Sequence, residues 1–75
     1  MKCHVLYTHP VTGNSYFFVR FRGDGRPVGC FRYRRFRVAA QIFPSLKAAS
    51  EVITNLNAMG YKARSVRENK EFYFV

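Results

Sequence analysis

Tyr16-Phe-Phe-Val-Arg-Phe-Arg-Gly-Asp-Gly-Arg-Pro-Val-Gly-Cys-Phe-Arg-Tyr-Arg-Arg-Phe-Arg37 is the stretch on which the fold turns. It holds seven of the nine arginines, seven aromatic rings and one acid, Asp24. From Tyr16 to Arg22 the residues alternate. Phe17, Val19 and Phe21 fall on one face, and Tyr16, Phe18, Arg20 and Arg22 on the other. That period of two is the mark of a half-buried strand. Gly23 to Pro27 is dense in turn residues. Val28 to Arg34 reads as the next strand, with Phe31 and Tyr33 alternating with Arg32 and Arg34. The phase slips at Arg34-Arg35, after which Phe36 and Val38 are the apolar positions. A one-residue slip inside a strand pattern implies a bulge or a bend into a new strand. Ala39 to Phe43 is expected to continue extended.

The remaining elements follow outward. Lys2 to His9 reads as a strand ended by Pro10 and the turn residues Val11 to Asn14. A helix is predicted over 45–59. Ser45 caps it, Leu46, Ala49, Val52, Ile53, Leu56 and Met59 form its stripe, and Gly60 stands at the C-cap. Tyr61 to Arg67 reads as a strand, Arg67 to Glu71 as a turn, and Phe72 to Val75 as a final strand. The order is β-β-β-α-β-β. One helix cannot cover two sheets, so the expected fold is α+β: a single antiparallel sheet of four to five strands with one α-helix packed on one face. Residues 1–75 make one small domain.

In this arrangement the helix covers Phe17, Val19, Phe21, Phe31 and Tyr33. The opposite face carries Tyr16, Phe18, Arg20, Arg22, Arg32 and Arg34, with Arg35 and Arg37 beyond the phase slip. Guanidinium clamps phosphate with paired hydrogen bonds and stacks on flat rings, and aromatic rings are platforms for unpaired bases. The formal net charge of +9, from 13 basic and 4 acidic side chains, asks for an acidic or polyanionic partner. Tyr16, Phe18, Arg20, Arg22, Arg32, Arg34, Arg35 and Arg37 are therefore the candidate nucleic-acid-binding residues, with single strands or RNA favoured over duplex DNA. The alternative is a protein-binding inhibitor or adaptor that docks on an acidic or nucleic-acid-binding surface of a partner protein, since arginine and aromatic residues also dominate protein interfaces. Phage accessory proteins of the anti-CRISPR or host-takeover type share this size class. Self-assembly through the edge of 71–75 is a third route, and the oligomeric state stays open.

The run from Tyr16 to Phe21 partly resembles the tail of the signature octapeptide of RNA-recognition motifs: an aromatic, one residue, then Phe-Val-x-Phe. That resemblance implies base stacking by Tyr16 and Phe18, with Val19 and Phe21 toward the core. Asn14, Ser15 and Phe17 depart from the motif, and it stands before the helix rather than after one. Three strands followed by a helix also resemble the outline of integrase arm-binding domains, which lay a sheet in the DNA major groove.

Other chemistries have less support. Cys3, His4, His9 and Cys30 match no common zinc spacing, so no metal or other cofactor is expected. Arg22-Gly23-Asp24 is ordinary turn chemistry. Glu51, Glu68, Glu71 and Asp24 form no evident pair, and no nucleophile elbow or phosphate loop occurs, so the chain is not expected to be an enzyme. Two distant cysteines do not make a secreted disulfide framework. No run approaches a membrane span, and no signal peptide or lipidation motif is evident. The expected location is cytoplasmic, without membrane association.

Overall fold

The first strand, β1 (Cys3–Thr8), lies inside the sheet rather than at its edge. In the computed structural model, which describes residues 2–30 and 40–67, it pairs antiparallel with β2 (Ser15–Phe21) on one side and β4 (Lys62–Arg67) on the other. β3 (Pro27–Cys30) pairs antiparallel with β2, so the order across the sheet is β3-β2-β1-β4. One helix, α1 (Leu46–Ala58), packs on β1 and β4. The fold is α+β, as the sequence predicts. The expected last strand, Phe72 to Val75, and the phase slip at Arg34-Arg35 lie outside the described residues.

α1 begins and ends where its residues dictate. The Ser45 hydroxyl accepts the Ala48 N–H at 3.2 Å, satisfying one of the helix's unpaired amides. At the other end Gly60, with φ +99°, takes a conformation that a side chain disfavours. This lets Gly60 N–H reach Asn57 O and Tyr61 N–H reach Leu56 O, both at 3.0 Å, the paired bonds of a Schellman motif. Tyr61 and Leu56 then pack in the same apolar cluster. Asn57 Oδ1 accepts the Ala63 N–H at 3.0 Å and ties the helix end to β4.

Register sets the two sheet faces. Tyr7 faces Tyr16 and Ala63, while Leu6 faces Phe17 and Arg64. Cys3, Val5 and Tyr7 point to the helix and join Phe18, Phe43, Ala49 and Leu56 in the core, with Tyr16, Phe21 and Ala63 packed against them. His4, Leu6 and Phe17 share the other face, where the His4 and Phe17 rings meet edge to face at 6.0 Å. Cys3 and Cys30 are free thiols. Cys30 lies opposite Phe17, so the two cysteines are on opposite faces of the sheet.

This corrects the expected facing of β2. Phe18 is 2% exposed in the core, and Tyr16 packs against it. Phe17 is on the face away from the helix. The cause is a bulge. Phe18 pairs with Gly29, but Arg20 pairs with Val28. Two steps along β2 thus match one along β3, and the extra residue reverses the alternation. Phe18 and Arg20 would share a face in a regular strand; here they are on opposite faces. Phe21, beyond the bulge, turns inward as expected.

The bulge also parts β2 from β1. Beyond Leu6–Phe17 a short segment enters between them. Cys3 and Phe43 exchange two backbone bonds of 3.0 and 2.8 Å, and Gln41 N–H donates to Phe18 O at 2.9 Å. His4, fully buried, holds the same segment through Nδ1, 3.0 Å from Gln41 O.

Gly29 is required by close approach. A Cβ there would collide with the Tyr7 hydroxyl and sit 2.6 Å from Tyr16 Cβ. Gly29→Ala should therefore cost about 1–3 kcal/mol by overpacking, and Tyr7→Phe in the same chain should recover part of it. Phe18→Ala should cost about 3–5 kcal/mol, the range for a truncated core ring, and Phe17→Ala clearly less. Urea denaturation of the four variants checks both expectations.

Candidate functional site

The face of the sheet away from α1 gathers exposed cations. Arg64 is opposite Leu6, and Lys62 is opposite Thr8, so both point away from the helix, about 7 Å apart along one strand. Arg20 emerges on the same face because of the bulge, beside Val28. All three side chains are exposed. Between the β4 cations and Arg20 lie the half-buried Leu6 and Phe17. Arg20 is not level with the β4 cations: it is three residues beyond Phe17 along β2, past the point where the segment at Gln41 and Phe43 enters beside the fully buried His4.

Of the sequence-predicted residues, the structure brings Arg20 to this face. Arg22 is at the start of the β2–β3 turn, exposed, with its guanidinium 3.9 Å from Asp24 Oδ2. Tyr16 and Phe18 are not on the face, since both belong to the helix side. Arg32, Arg34, Arg35 and Arg37 lie outside the described residues. Lys62 and Arg64, in the strand expected over Tyr61 to Arg67, take this face through their pairing with Thr8 and Leu6. Phe17, expected in the core, is on this face instead. The available signal for Phe17 was Gly29, because a lone glycine in a strand pattern marks a bulge or a close backbone approach.

Asp24 does not neutralise the face. Its Oδ1 accepts the Arg26 N–H at 3.0 Å. That bond, with the charges of Arg22 and Arg26, holds its carboxyl below the usual carboxylate range. The turn is closed further by Arg22 N–H to Arg26 O at 2.7 Å and Gly25 N–H to Arg22 O at 2.9 Å. Arg22-Gly23-Asp24 is thus fully used as a turn. Among the described residues, no group of three or more His, Cys, Asp or Glu side chains is placed to hold a metal ion. No helix there is long and apolar enough to cross a membrane.

On the helix side, at the same end of the sheet as Lys62, four rings adjoin. Tyr7 meets Tyr61 at 5.4 Å and Tyr16 at 5.6 Å, and His9 meets Tyr61 at 5.7 Å. Burial pushes the Tyr7 phenol up to about 12, with repulsion from Tyr61, Tyr16 and Cys30 adding to it.

No protein-family model, curated protein sequence or solved structure matches the chain.

The Tyr7 value carries a stability consequence. The unfolded chain loses this proton near pH 10 and the folded one near 12. The Tyr7 contribution to folding stability is therefore intact below about pH 10 and is lost as the pH rises toward 12. The Tyr7 phenol should titrate late in an absorbance titration. Tyr7→Phe should flatten that part of the alkaline loss, measured by urea unfolding at several pH values.

Proposed function

We propose that this protein is a small, non-enzymatic nucleic-acid-binding module, and that it binds through the sheet face away from α1. The observation that carries this reading is the placement of Arg20, Lys62 and Arg64, all exposed, on one face of the sheet in a chain of net charge +9. Such a surface neutralises phosphates and releases their counterions, a driving force that needs no base contact. Phe17, a half-buried ring on the cationic face, takes the stacking role that the sequence assigns to Tyr16 and Phe18. It keeps the preference for single strands or RNA loops, whose bases are free to stack. Arg32, Arg34, Arg35 and Arg37 join the proposal on sequence alone. The thiols of Cys3 and Cys30, unbridged and on opposite faces, fit a reducing compartment such as the cytoplasm.

The test is binding to a mixed single-stranded oligonucleotide and to a duplex across a salt series. Affinity should fall steeply with salt. Arg20→Glu with Arg64→Glu should flatten the log–log slope by about 1.4 on the single strand, at roughly 0.7 per lost phosphate contact. Phe17→Ala should weaken single-strand binding by about 1–3 kcal/mol while leaving duplex binding nearly unchanged. Absence of binding at low salt, or a slope indifferent to the charge reversals, refutes the reading. A protein partner retained after nuclease treatment would point instead to docking on an acidic protein surface.

A further inference from the structure

The turn between β1 and β2 is closed by a histidine ring. His9 Nδ1 lies 3.1 Å from the Val11 amide nitrogen and 3.3 Å from that of Thr12, and both N–H groups point at it. An amide N–H can only donate. Nδ1 is therefore the acceptor, and the ring proton is on Nε2. Nδ1 is bonded to Cγ as Oδ1 is in asparagine, so the ring fills the place that asparagine takes in an Asx-turn. The backbone completes the closure. His9 N–H donates to Asn14 O at 2.8 Å, and Gly13 N–H donates to His9 O at 3.0 Å. Thr12 Oγ1 accepts the Asn14 N–H at 3.2 Å. Val11 at the tip is 85% exposed.

We infer that this turn is a proton-operated latch, held shut by neutral His9 and released when the imidazole is protonated. The imidazolium carries a hydrogen on Nδ1. Two acceptor contacts then become a donor facing two donors, and both hydrogen bonds are lost. Residues Pro10 to Asn14 contribute no titratable side chain. Tyr61, leading into β4, presents a titratable ring in contact with His9. Tyr7 and Tyr16 are reached only through further ring contacts. Lys62 is on the opposite sheet face. Among the described residues, neither Asp24 nor Glu51 pairs with His9, so neither offsets the lost bonds.

His4 uses the opposite tautomer. Its Nδ1 lies against the Gln41 carbonyl, which can only accept, so there the proton is already on Nδ1. Of the two, His9 is the one whose Nδ1 is held as an acceptor by two backbone amides.

Amide hydrogen exchange tests this from about pH 8 to about pH 5, the span in which imidazoles change charge. The protection factors of Val11 and Thr12 should fall together by about tenfold, as expected for a lost hydrogen bond of roughly 1–1.5 kcal/mol. Val5, in the middle of β1, should hold its protection. His9→Asn should keep the two amides protected at every pH, and His9→Ala should leave them unprotected at every pH. Protection of Val11 and Thr12 that stays constant in the native chain across this range would overturn the inference. So would nitrogen spectra placing the neutral His9 proton on Nδ1. Neither result depends on nucleic-acid binding.

Discussion

The extra residue in β2 between Phe18 and Arg20 is the constraint from which the rest of this structure follows. It sends Phe18 into the core and Arg20 to the opposite surface. It also turns β2 away from β1, leaving the Phe18 carbonyl and the Cys3 backbone without a strand partner between them. The segment around Gln41 and Phe43 satisfies both. A buried peptide group left unpaired costs about 1–3 kcal/mol, so the bulge and the inserted segment depend on each other. The buried His4 adds a side-chain bond to the same segment.

The bulge also couples stability to the candidate surface. Gly29, its partner across the ladder, leaves room for the Tyr7 hydroxyl. That allows a large ring at the centre of the sheet to extend sideways beneath β3 and still pack against Tyr16 and Tyr61. The burial of Phe18 and the outward facing of Arg20 are thus two results of one backbone irregularity. A change that regularised β2 would move Arg20 and Phe18 together.

Most of the frame was legible in the residues. Ser45 and Gly60 bracket the helix because a hydroxyl cap and a left-handed glycine have few other roles. Pro10 and the Gly-Asp-Gly run end strands for equally local reasons. The facing of β2 was not legible by alternation, because Tyr16, Phe17, Phe18 and Val19 are all apolar and set no phase. Only Arg20 and Arg22 did, and reading backward from them crosses the bulge and assigns Phe17 and Phe18 the wrong way round. Register with β1 decided the matter, and register is a long-range property. For the same reason Lys62 and Arg64 acquired a face only through their pairing with Thr8 and Leu6.

The interior position of β1 has a kinetic side. Its ladder with β4 joins Cys3 to Arg67, and its bridge to Phe43 encloses the whole of β2 and β3. The centre of the sheet therefore forms from contacts between residues far apart along the chain. Closing such loops costs entropy before the contacts compensate for it, which slows folding. Until β4 is in place, one edge of β1 is open, with Val5 and Tyr7 on a face that α1 has yet to cover. An unfinished sheet of this kind is prone to pair with other chains. The two cations that β4 carries on its outward face then have a second effect: like-charge repulsion between unfinished copies opposes that pairing.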